Sequence, residues 1–364
     1  MGKTVETTIL TGTQESSKNN YFSSNIHQME ARQIEIDSPN DIYSVAFLVD
    51  GKHVVGGGRG GKIQRWRVED GKEVGTPMGA GGIIFNIAVS KDGKRVVSGT
   101  NSTKGLVTVW DVESHSKLTE INGHRNWVRA VDVSPDGTKI ATGSRDKTVC
   151  VWSLSNGQRL LNPLEHDHWV VAVKFSPDGR LIATATWGRD AVRVYDVDTD
   201  SQSGPLVEFP VQVNSFLNQS LAWASDSKQL FALSRDGSIN CLDVTRSTRS
   251  QWHISNSGDA RCIALASNGT FIAASALFSV SLWDTTTRKE IHCVIHHTVD
   301  IMSMAISSNY DLVTAGGNEI TVRNLRDVLP SRYCDDVSTS APHVHCVRWF
   351  PTENHFFLTA TAIP

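Results

Sequence analysis

Short runs in which apolar and mixed residues alternate recur along almost the whole chain, and each is followed by a tight turn. The clearest run is Trp127–Val133, which leads into the turn Ser134–Gly137. Alternation with a period of two residues is typical of a half-buried β-strand, and the Pro and Gly of the turn supply the backbone angles that reverse the chain. The run has no helical period. The pattern therefore predicts short antiparallel strands and an all-β fold.

The turn recurs with a nearly constant spacing. Its Asp or Asn stands at positions 50, 92, 136, 178, 226, 268 and 309, so the intervals are 42, 44, 42, 48, 42 and 41 residues. A repeat of about forty residues indicates one supersecondary unit that is copied along the chain. In the third copy, Lys139–Ser144 and Thr148–Ser153 are further strands and a fourth begins at Arg159. Each unit therefore contains four strands.

A four-stranded sheet with this pattern cannot bury both of its faces alone. Copies arranged around a common axis bury those faces against one another and leave only short strand edges exposed. The predicted fold is therefore a β-propeller in which each repeat forms one blade.

The third repeat also carries a set of residues at characteristic positions. They are Gly123, His124, the turn Ser134–Gly137, Gly143, Ser144, Asp146, Val151 and Trp152. This set is similar to the WD40 repeat family, and looser copies of it run from Ile42 to Leu325. The Trp-Asp pair that ends the third strand in that family is kept at residues 110–111 and 283–284. The resemblance implies a WD40-type propeller.

In WD40 proteins a His, a Ser or Thr, an Asp and a Trp commonly form a hydrogen-bonded tetrad that holds a blade together. The resemblance implies that the third repeat has the whole tetrad, formed by His124, Thr142 or Ser144, Asp146 and Trp152. The fourth repeat keeps His166 or His168 together with Thr184 and Asp190, but Tyr195 replaces the Trp. We therefore expect the blades to differ in local stability.

Closure of the ring decides the number of blades. Residues 33–36 form a strand ahead of the first repeat, whereas the seventh repeat supplies only three strands before Pro330. The resemblance implies that the first strand of the chain completes the last blade, which predicts seven blades. Residues 344–350 and 355–360 look like half of another unit, so eight blades are the alternative. The predicted domains are a flexible segment 1–31, the propeller 32–326 and a C-terminal extension 327–364.

Composition narrows the classes of partner. The net charge is −3 and the sequence contains no run of Lys or Arg, so nucleic acid is not expected. No apolar stretch has the length of a membrane span, and the first residues lack the core of a signal peptide. The six Cys are scattered without a Cys-x-x-Cys pair. We therefore predict a reduced protein of the cytoplasm or nucleus with no membrane association.

No motif in the sequence marks a catalytic or cofactor site. The segment Gly56–Lys62 resembles a phosphate-binding loop, but Ile63 stands where Ser or Thr would reach magnesium. Pairs of His at 166/168, 296/297 and 343/345 lack the Cys or carboxylate framework of a metal site. A Gly-x-Ser-x-Gly nucleophile turn is also missing. We predict no enzyme activity, no cofactor and no metal.

Arg and Trp residues gather at predicted turns and at the starts of first strands. They are Arg59, Arg125, Trp127, Arg145, Trp169, Trp187, Arg189 and Arg235. In WD40 proteins the matching positions often face the partner, and Arg and Trp dominate interface hot spots. Arg145 and Arg235 directly precede a turn Asp, so we expect their side chains to be exposed. The competing interpretation is that the Trp rings only cap the inner strands.

The predicted function is a non-enzymatic scaffold or adaptor that binds protein or peptide partners on the wide face of the propeller. Arg side chains suit bidentate capture of carboxylate or phosphate, so the partner is expected to be acidic or phosphorylated. The protein is expected to be a monomer within larger complexes. One alternative is a substrate receptor of a ubiquitin ligase, although Trp110-Asp111 and Trp283-Asp284 lack the Arg two residues later that such receptors often carry. A propeller hydrolase is the other alternative.

Overall fold

The computed structural model describes residues 33–188, 192–198, 204–213, 219–254, 260–297 and 299–334. These residues form seven antiparallel sheets of four strands each, and each sheet is one blade. The prediction of a seven-bladed, all-β propeller is confirmed. Apart from two short 3-10 turns, Leu325–Asp327 and Ser331–Tyr333, the described residues contain no helix, and none of their helical segments has the length or apolar character to cross a membrane.

The strands of blades one to three follow the chain in order. Blade one contains β2 (Ile42–Phe47), β3 (His53–Gly58), β4 (Lys62–Arg67) and β5 (Met78–Gly79); blade two contains β6 (Ile84–Val89), β7 (Arg95–Thr100), β8 (Leu106–Asp111) and β9 (Lys117–Asn122); blade three contains β10 (Val128–Val133), β11 (Lys139–Ser144), β12 (Thr148–Ser153) and β13 (Leu164–Glu165).

Blades four to seven continue the same order. Blade four contains β14 (Val170–Phe175), β15 (Leu181–Thr186), β16 (Val192–Asp196) and β17 (Val207–Phe209); blade five contains β18 (Leu221–Trp223), β19 (Gln229–Leu233), β20 (Ser238–Asp243) and β21 (Thr248–His253); blade six contains β22 (Ala260–Leu265), β23 (Phe271–Ala276), β24 (Ser279–Asp284) and β25 (Glu290–His296); blade seven contains β26 (Ser303–Ile306), β27 (Asp311–Gly316), β28 (Glu319–Asn324) and the first strand of the chain, β1 (Gln33–Asp37).

The ring is closed by β1, as the sequence predicts. This strand pairs antiparallel with β28, in a register that runs from Gln33 opposite Arg323 to Asp37 opposite Glu319. The sheet order of blade seven is therefore β1-β28-β27-β26. The segments 1–31, 344–350 and 355–360, on which the flexible terminus and the extra half-repeat were predicted, lie outside the described residues. The proposed domain limits stay a prediction.

The core lies between neighbouring blades rather than inside one of them. Ile36, Val45, Trp66, Val313 and Ile320, for example, form one buried cluster that joins blade seven to blade one. Burial of apolar surface contributes about 25 cal/mol per Å², so each blade depends on the faces of its two neighbours. Both faces of a sheet therefore need an apolar partner, and strands such as β11 contain consecutive buried residues, Ile140–Ser144.

Hydrogen bonds also link the inner strands around the central channel. The N–H of Ile87 donates to Ser44 Oγ at 3.1 Å, and the N–H of Val131 donates to Asn86 Oδ1 at 2.8 Å. The N–H of Val45 donates to Ser303 Oγ at 2.9 Å and joins blades one and seven. The channel holds a cavity of about 450 Å³ whose walls are both polar and apolar. These bonds fix the height of one blade against the next.

The two faces of the ring carry different loops. The loops that lead into the inner strands and the turns between second and third strands share one face, which we call the upper face. The repeated Asp or Asn turns lie on the opposite, lower face. On the lower face, residues 327–334 of the predicted C-terminal extension pack against blade six, where Asn268 Nδ2 donates to the Tyr333 carbonyl at 2.9 Å and the Tyr333 hydroxyl donates to Asp284 at 2.7 Å.

Candidate functional site

Each of the first four inner strands begins with a β-bulge on the upper face. The register shifts between Ile42 and Ser44, and again at the matching points of β6, β10 and β14. A bulge leaves one residue outside the hydrogen-bonded ladder and re-aims its side chain. The extra residues in blades one to four are Tyr43, Phe85, Arg129 and Val171. The sequence analysis did not assign a role to any of them.

Aromatic rings from four blades form a continuous row on the upper face. Tyr43 stacks on Phe85 with ring centroids 6.4 Å apart, and Phe85 stacks on Trp127 at 5.6 Å. Farther along, Trp169 stacks on Trp187 with centroids 4.4 Å apart and planes inclined by 24°. Trp127 comes just before β10 and lies beside Phe85, the bulge residue of blade two, whereas Trp169 and Trp187 both belong to blade four, just before β14 and just after β15. The sequence analysis identified Trp127, Trp169 and Trp187 but missed the rings of Tyr43 and Phe85.

Arg145 fills the gap between the two halves of this row. Its guanidinium carbon lies 3.9 Å from the ring centroid of Trp127 and 4.2 Å from that of Trp169. The faces of two indole rings attract a cation that lies between them. The side chain is half-buried, so the prediction of a fully exposed turn residue was wrong. The physical reason is that Trp169, which belongs to the next blade, covers the guanidinium face that the turn alone would leave in water.

The guanidinium of Arg145 makes no hydrogen bond or ion pair with any residue that the structure describes, and its Nε is buried without a partner. Burial lowers the pKa of Arg145 from its usual value, as expected for a cation that has lost part of its water. Because both flat faces are covered by indole rings, only the in-plane N–H groups remain to bind a ligand. This geometry fits a planar, bidentate anion such as a carboxylate or a phosphate edge.

Arg129 adds a second cation beneath the row. Its side chain is buried, with the guanidinium carbon 4.3 Å from the Phe85 ring centroid. Burial, and then the nearby charge of Arg145, lower the pKa of Arg129 to about 10. The two like charges repel each other, so a bound anion would relieve that repulsion. Arg129 occupies the repeat position of Tyr43 and Phe85, and an alignment of the repeats by that position could have identified it.

The tetrad of blade three holds this site in place. His124 Nδ1 lies 2.9 Å from Asp146 Oδ2, His124 Nε2 lies 2.7 Å from Thr142 Oγ1, and Trp152 Nε1 donates to Thr142 Oγ1 at 2.8 Å. Of the two candidates left open by the sequence, Thr142 is therefore the tetrad hydroxyl. All four side chains are at least partly buried, and His124 and Thr142 are buried fully.

Ser144 is not a member of the tetrad and makes hydrogen bonds to the backbone instead. Its hydroxyl donates to the Asn126 carbonyl at 3.1 Å and accepts from the N–H of Asp146 at 3.0 Å. Asp146 Oδ2 also accepts the N–H of Arg125 at 2.8 Å. The loop before Trp127 and the turn that carries Arg145 are thus tied to each other. The tetrad positions the site although none of its members faces the ligand space.

Two buried His at matching positions of blades three and four have opposite pKa shifts. Burial alone would lower the pKa of His124. The hydrogen bond to the Asp146 carboxylate acts in the opposite direction, and the pKa is raised to about 9. The same bond, with the charge of His124, holds the pKa of Asp146 well below its usual range against the effect of burial. In blade four, His166 Nδ1 donates to the Leu164 carbonyl at 3.0 Å, and burial lowers the pKa of His166 to about 4.

The structure also decides between the two His candidates of blade four. His166 Nε2 lies 2.9 Å from Thr184 Oγ1 and 3.4 Å from the Tyr195 hydroxyl, so His166 is the tetrad member and not His168. Asp190, the fourth predicted member, lies outside the described residues. In blade seven, His297 Nε2 lies 2.6 Å from Thr314 Oγ1, a pair that sequence analysis missed.

The remaining predicted site residues are spread over the upper face. Arg59 pairs with Asp41 at 2.7 Å in blade one and is largely exposed. Arg125 is exposed at the edge of the Trp127 loop, and Arg235 is exposed on blade five. Arg189 lies outside the described residues. The structure therefore brings together Trp127, Arg145, Trp169 and Trp187, which we call the Arg145 site, and leaves Arg59 and Arg235 apart from it.

Within the described parts of the chain, no group of three or more His, Cys, Asp or Glu side chains is placed to hold a metal ion. The polar groups of the Arg145 site are cationic donors, and no side chain there is arranged as a nucleophile with a neighbouring base. The site's own chemistry is therefore suited to binding an anion.

Two segments of the chain match a family described as "WD domain, G-beta repeat", over residues 115–153 and 158–196. The resemblance to the WD40 repeat family is thus confirmed in these two repeats, and the seven-bladed fold agrees with it. The matched segments contain the whole Arg145 site, with Trp127 and Arg145 in the first and Trp169 and Trp187 in the second.

Several curated proteins are similar to part of the chain. WD repeat-containing protein SL1-17 of Schistosoma mansoni is 31% identical over 109 residues, which are 30% of this chain and 35% of that protein. Protein groucho of Drosophila melanogaster is 29% identical over 115 residues, or 30% of this chain and 15% of that protein. Cell division cycle 20.5, cofactor of APC complex, of Arabidopsis thaliana is 32% identical over 94 residues, or 26% of this chain and 21% of that protein. The chain spans about a third or less of these relatives.

Proposed function

We propose that this protein is a non-enzymatic interaction scaffold that binds an extended acidic or phosphorylated peptide of a partner protein on its upper face. A protein-binding role is supported by the WD40 resemblance and by relatives whose names describe cofactors of a complex. The proposal includes a monomer that works within larger complexes in the cytoplasm or nucleus. Cys150, Cys241 and Cys262 are free thiols, which is the usual state in those compartments.

The observation that carries the proposal is the state of Arg145. A half-buried guanidinium between two indoles, without a hydrogen-bond or ionic partner among the described residues, leaves strong donors unused. Unused buried donors cost free energy until a ligand satisfies them. An incoming carboxylate or phosphate can accept hydrogen bonds from two in-plane N–H groups at once. The surrounding aromatic rings are already rigid, so they supply apolar contact area at little cost in conformational entropy.

The electrostatics of the site support an anionic partner. Arg125, Arg129 and Arg145 lie on a loop, at the start of β10 and on a turn of blade three, whereas the whole chain has a net charge of −3. Asp146, the nearest carboxylate in sequence, is directed to His124 instead. The upper face of blade three is therefore locally positive. A local reversal of sign steers acidic segments to the site and makes the association sensitive to salt.

The test uses fluorescence anisotropy with labelled Gly/Ser peptides of about ten residues, long enough to cross two blades when extended. One peptide carries adjacent Glu residues, one a phosphoserine, and one has no charge. We expect the wild type to bind the two anionic peptides and to lose affinity as salt rises. Arg145→Gln should weaken this binding about 10-fold to 100-fold, since a bond to a charged group contributes about 1.5–3 kcal/mol.

The matched control is Arg235→Gln, because Arg235 stands in the same turn position of blade five but is exposed. This variant should bind the anionic peptides as the wild type does. Arg145→Lys keeps the charge but not the planar fork, so it should lose most of the affinity as well. If Arg145→Gln binds both anionic peptides as tightly as Arg235→Gln, the Arg145 site is not the peptide site. Thermal unfolding of each variant confirms that the comparison is made between folded proteins.

A further inference from the structure

The aromatic row ends at Trp187 with an exposed ring. Along the row, Trp127 is covered by Phe85 and Arg145, and Trp169 is covered by Arg145 and Trp187. Trp187 stacks on Trp169, yet it is 41% exposed, which makes it one of the few large apolar side chains on the described surface. The ring therefore offers contact area to a ligand at the end of the row, separated from the Arg145 cation by Trp169.

We propose that Trp187 is a stacking subsite for an aromatic side chain of the bound peptide, and that this side chain lies about three or four residues from the acidic group held by Arg145. This inference rests on the proposed function and adds a specificity rule to it. It identifies the ligand as a peptide that carries an anion and an aromatic residue at a fixed separation. An acidic cluster alone would fill only half of the site.

The spacing follows from the geometry of the stack. The Arg145 guanidinium lies 4.2 Å from the Trp169 centroid, which lies 4.4 Å from the Trp187 centroid. A further ring stacked on Trp187 would add about 4–5 Å, so it would lie on the order of 12 Å from the guanidinium. An extended chain advances about 3.3 Å per residue, so this distance corresponds to about three or four residues. The planes of Trp169 and Trp187 differ by only 24°, so the two rings are close to parallel.

The row favours a peptide over a single-stranded nucleic acid. Successive bases need several aromatic rings with open faces along the strand. Here Trp127 and Trp169 already have a partner on each side, and Arg145 occupies the space between them. One terminal ring beside one cationic edge can take one aromatic group and one anion, which matches two side chains of an extended peptide.

The experiment extends the anisotropy measurement on the full chain. A labelled peptide with a fixed phosphoserine carries a Phe about three or four residues away, about seven residues away, or not at all. We expect the near Phe to tighten binding to the wild type about 3-fold to 10-fold relative to no Phe, as a stacked aromatic pair would. The distant Phe should add little. In Trp187→Ala, the three peptides should bind with equal affinity.

The matched control is Phe278→Ala, because Phe278 is also a large exposed ring, 45% exposed, in a turn of blade six. It should keep the preference for the near Phe. Equal binding of all three peptides to the wild type, or a preference that survives Trp187→Ala, would overturn the stacking subsite while leaving Arg145-dependent anion binding intact. Absence of binding to every peptide would overturn both proposals. Tighter binding of a single-stranded oligonucleotide that Trp187→Ala abolishes would reassign the face to nucleic acid.

Discussion

Blades three and five contain the same three residues in the same turn, but the surroundings of those residues differ. The turn is Ser144-Arg145-Asp146 in blade three and Ser234-Arg235-Asp236 in blade five. In both, the N–H of the Arg donates to the carbonyl of a residue ahead of the inner strand, at 2.9 Å to Trp127 and 2.8 Å to Gln212. The backbone of the two turns is thus tied to the blade in the same way.

The side chains of the two turns differ in burial and in their contacts. Arg145 is half-buried between Trp127 and Trp169, and Asp146 is bonded to the buried His124. Arg235 and Asp236 are both exposed. The difference lies in the residues supplied by other strands: blade five has Gln212 where blade three has Trp127. The repeat unit therefore determines the conformation of the turn, whereas residues from other strands determine whether the turn becomes part of a candidate site.

The largest expected difference between the blades is the cost of losing the turn Asp. Asp146→Ala leaves the buried His124 without its charged partner, and breaking such a pair costs about 3–5 kcal/mol. Asp236→Ala removes hydrogen bonds to Ser234 and to the N–H of Ser238 in an exposed turn, at about 1 kcal/mol. Urea unfolding of both variants measures the two costs. Equal losses would show that the tetrad of blade three contributes no more than an ordinary turn.

A smaller difference should appear in the dependence of stability on pH. The folded pKa of His124, about 9, lies above its unfolded value of 6.5, so its contribution is complete below pH 6.5 and is lost as the pH rises through 9. The difference between these two pKa values corresponds to about 3 kcal/mol. His124→Gln should remove this alkaline loss from urea unfolding curves. His253→Gln, in blade five, should keep it, and an unchanged alkaline loss in His124→Gln would contradict the assignment.

The smallest difference is expected for the turn Ser. Ser144 bonds to the Asn126 carbonyl and the N–H of Asp146, and Ser234 bonds to the Ser238 carbonyl and to Asp236. Each Ser→Ala change should cost about 1 kcal/mol, so the two costs should differ by less than about 0.5 kcal/mol. Thermal unfolding measures both. A markedly larger cost at Ser144 would mean that the Ser also supports the Arg145 site and not only the local turn.

Sequence reasoning succeeded where the information is local or periodic. The constant spacing of the Asp and Asn turns predicted seven blades, and the missing fourth strand of the last repeat predicted that residues 33–36 close the ring; β1 confirms both. The tetrad of blade three was also predicted, except for the choice between Thr142 and Ser144. Thr142 and Ser144 lie on the same face of β11, so the choice depends on how far along the strand the His124 ring lies, which only the folded blade sets.

The functional site was predicted only in part. Trp127, Arg145, Trp169 and Trp187 were found because Arg and Trp are rare types that gather near the turns. Phe85 and Arg129 were missed, since inside an alternating strand they are indistinguishable from residues of the core or of the solvent face. The bulge that turns them to the upper face changes the register by a single residue, and the alternation of apolar and polar positions does not reveal it.

The amino-acid sequence alone established the repeat and its turns and favoured seven blades over eight, because these features follow from backbone preferences within a few residues and from the need to bury both faces of a sheet. The difference in burial between Arg145 and Arg235 arises only in the folded ring. The Arg145 guanidinium is covered by Trp169, a residue of the next blade, and that contact exists only when the ring is assembled. Burial and the choice of partner depend on neighbours that are distant in sequence, so the same tripeptide carries an exposed Arg in blade five and a half-buried Arg between two indole rings in blade three.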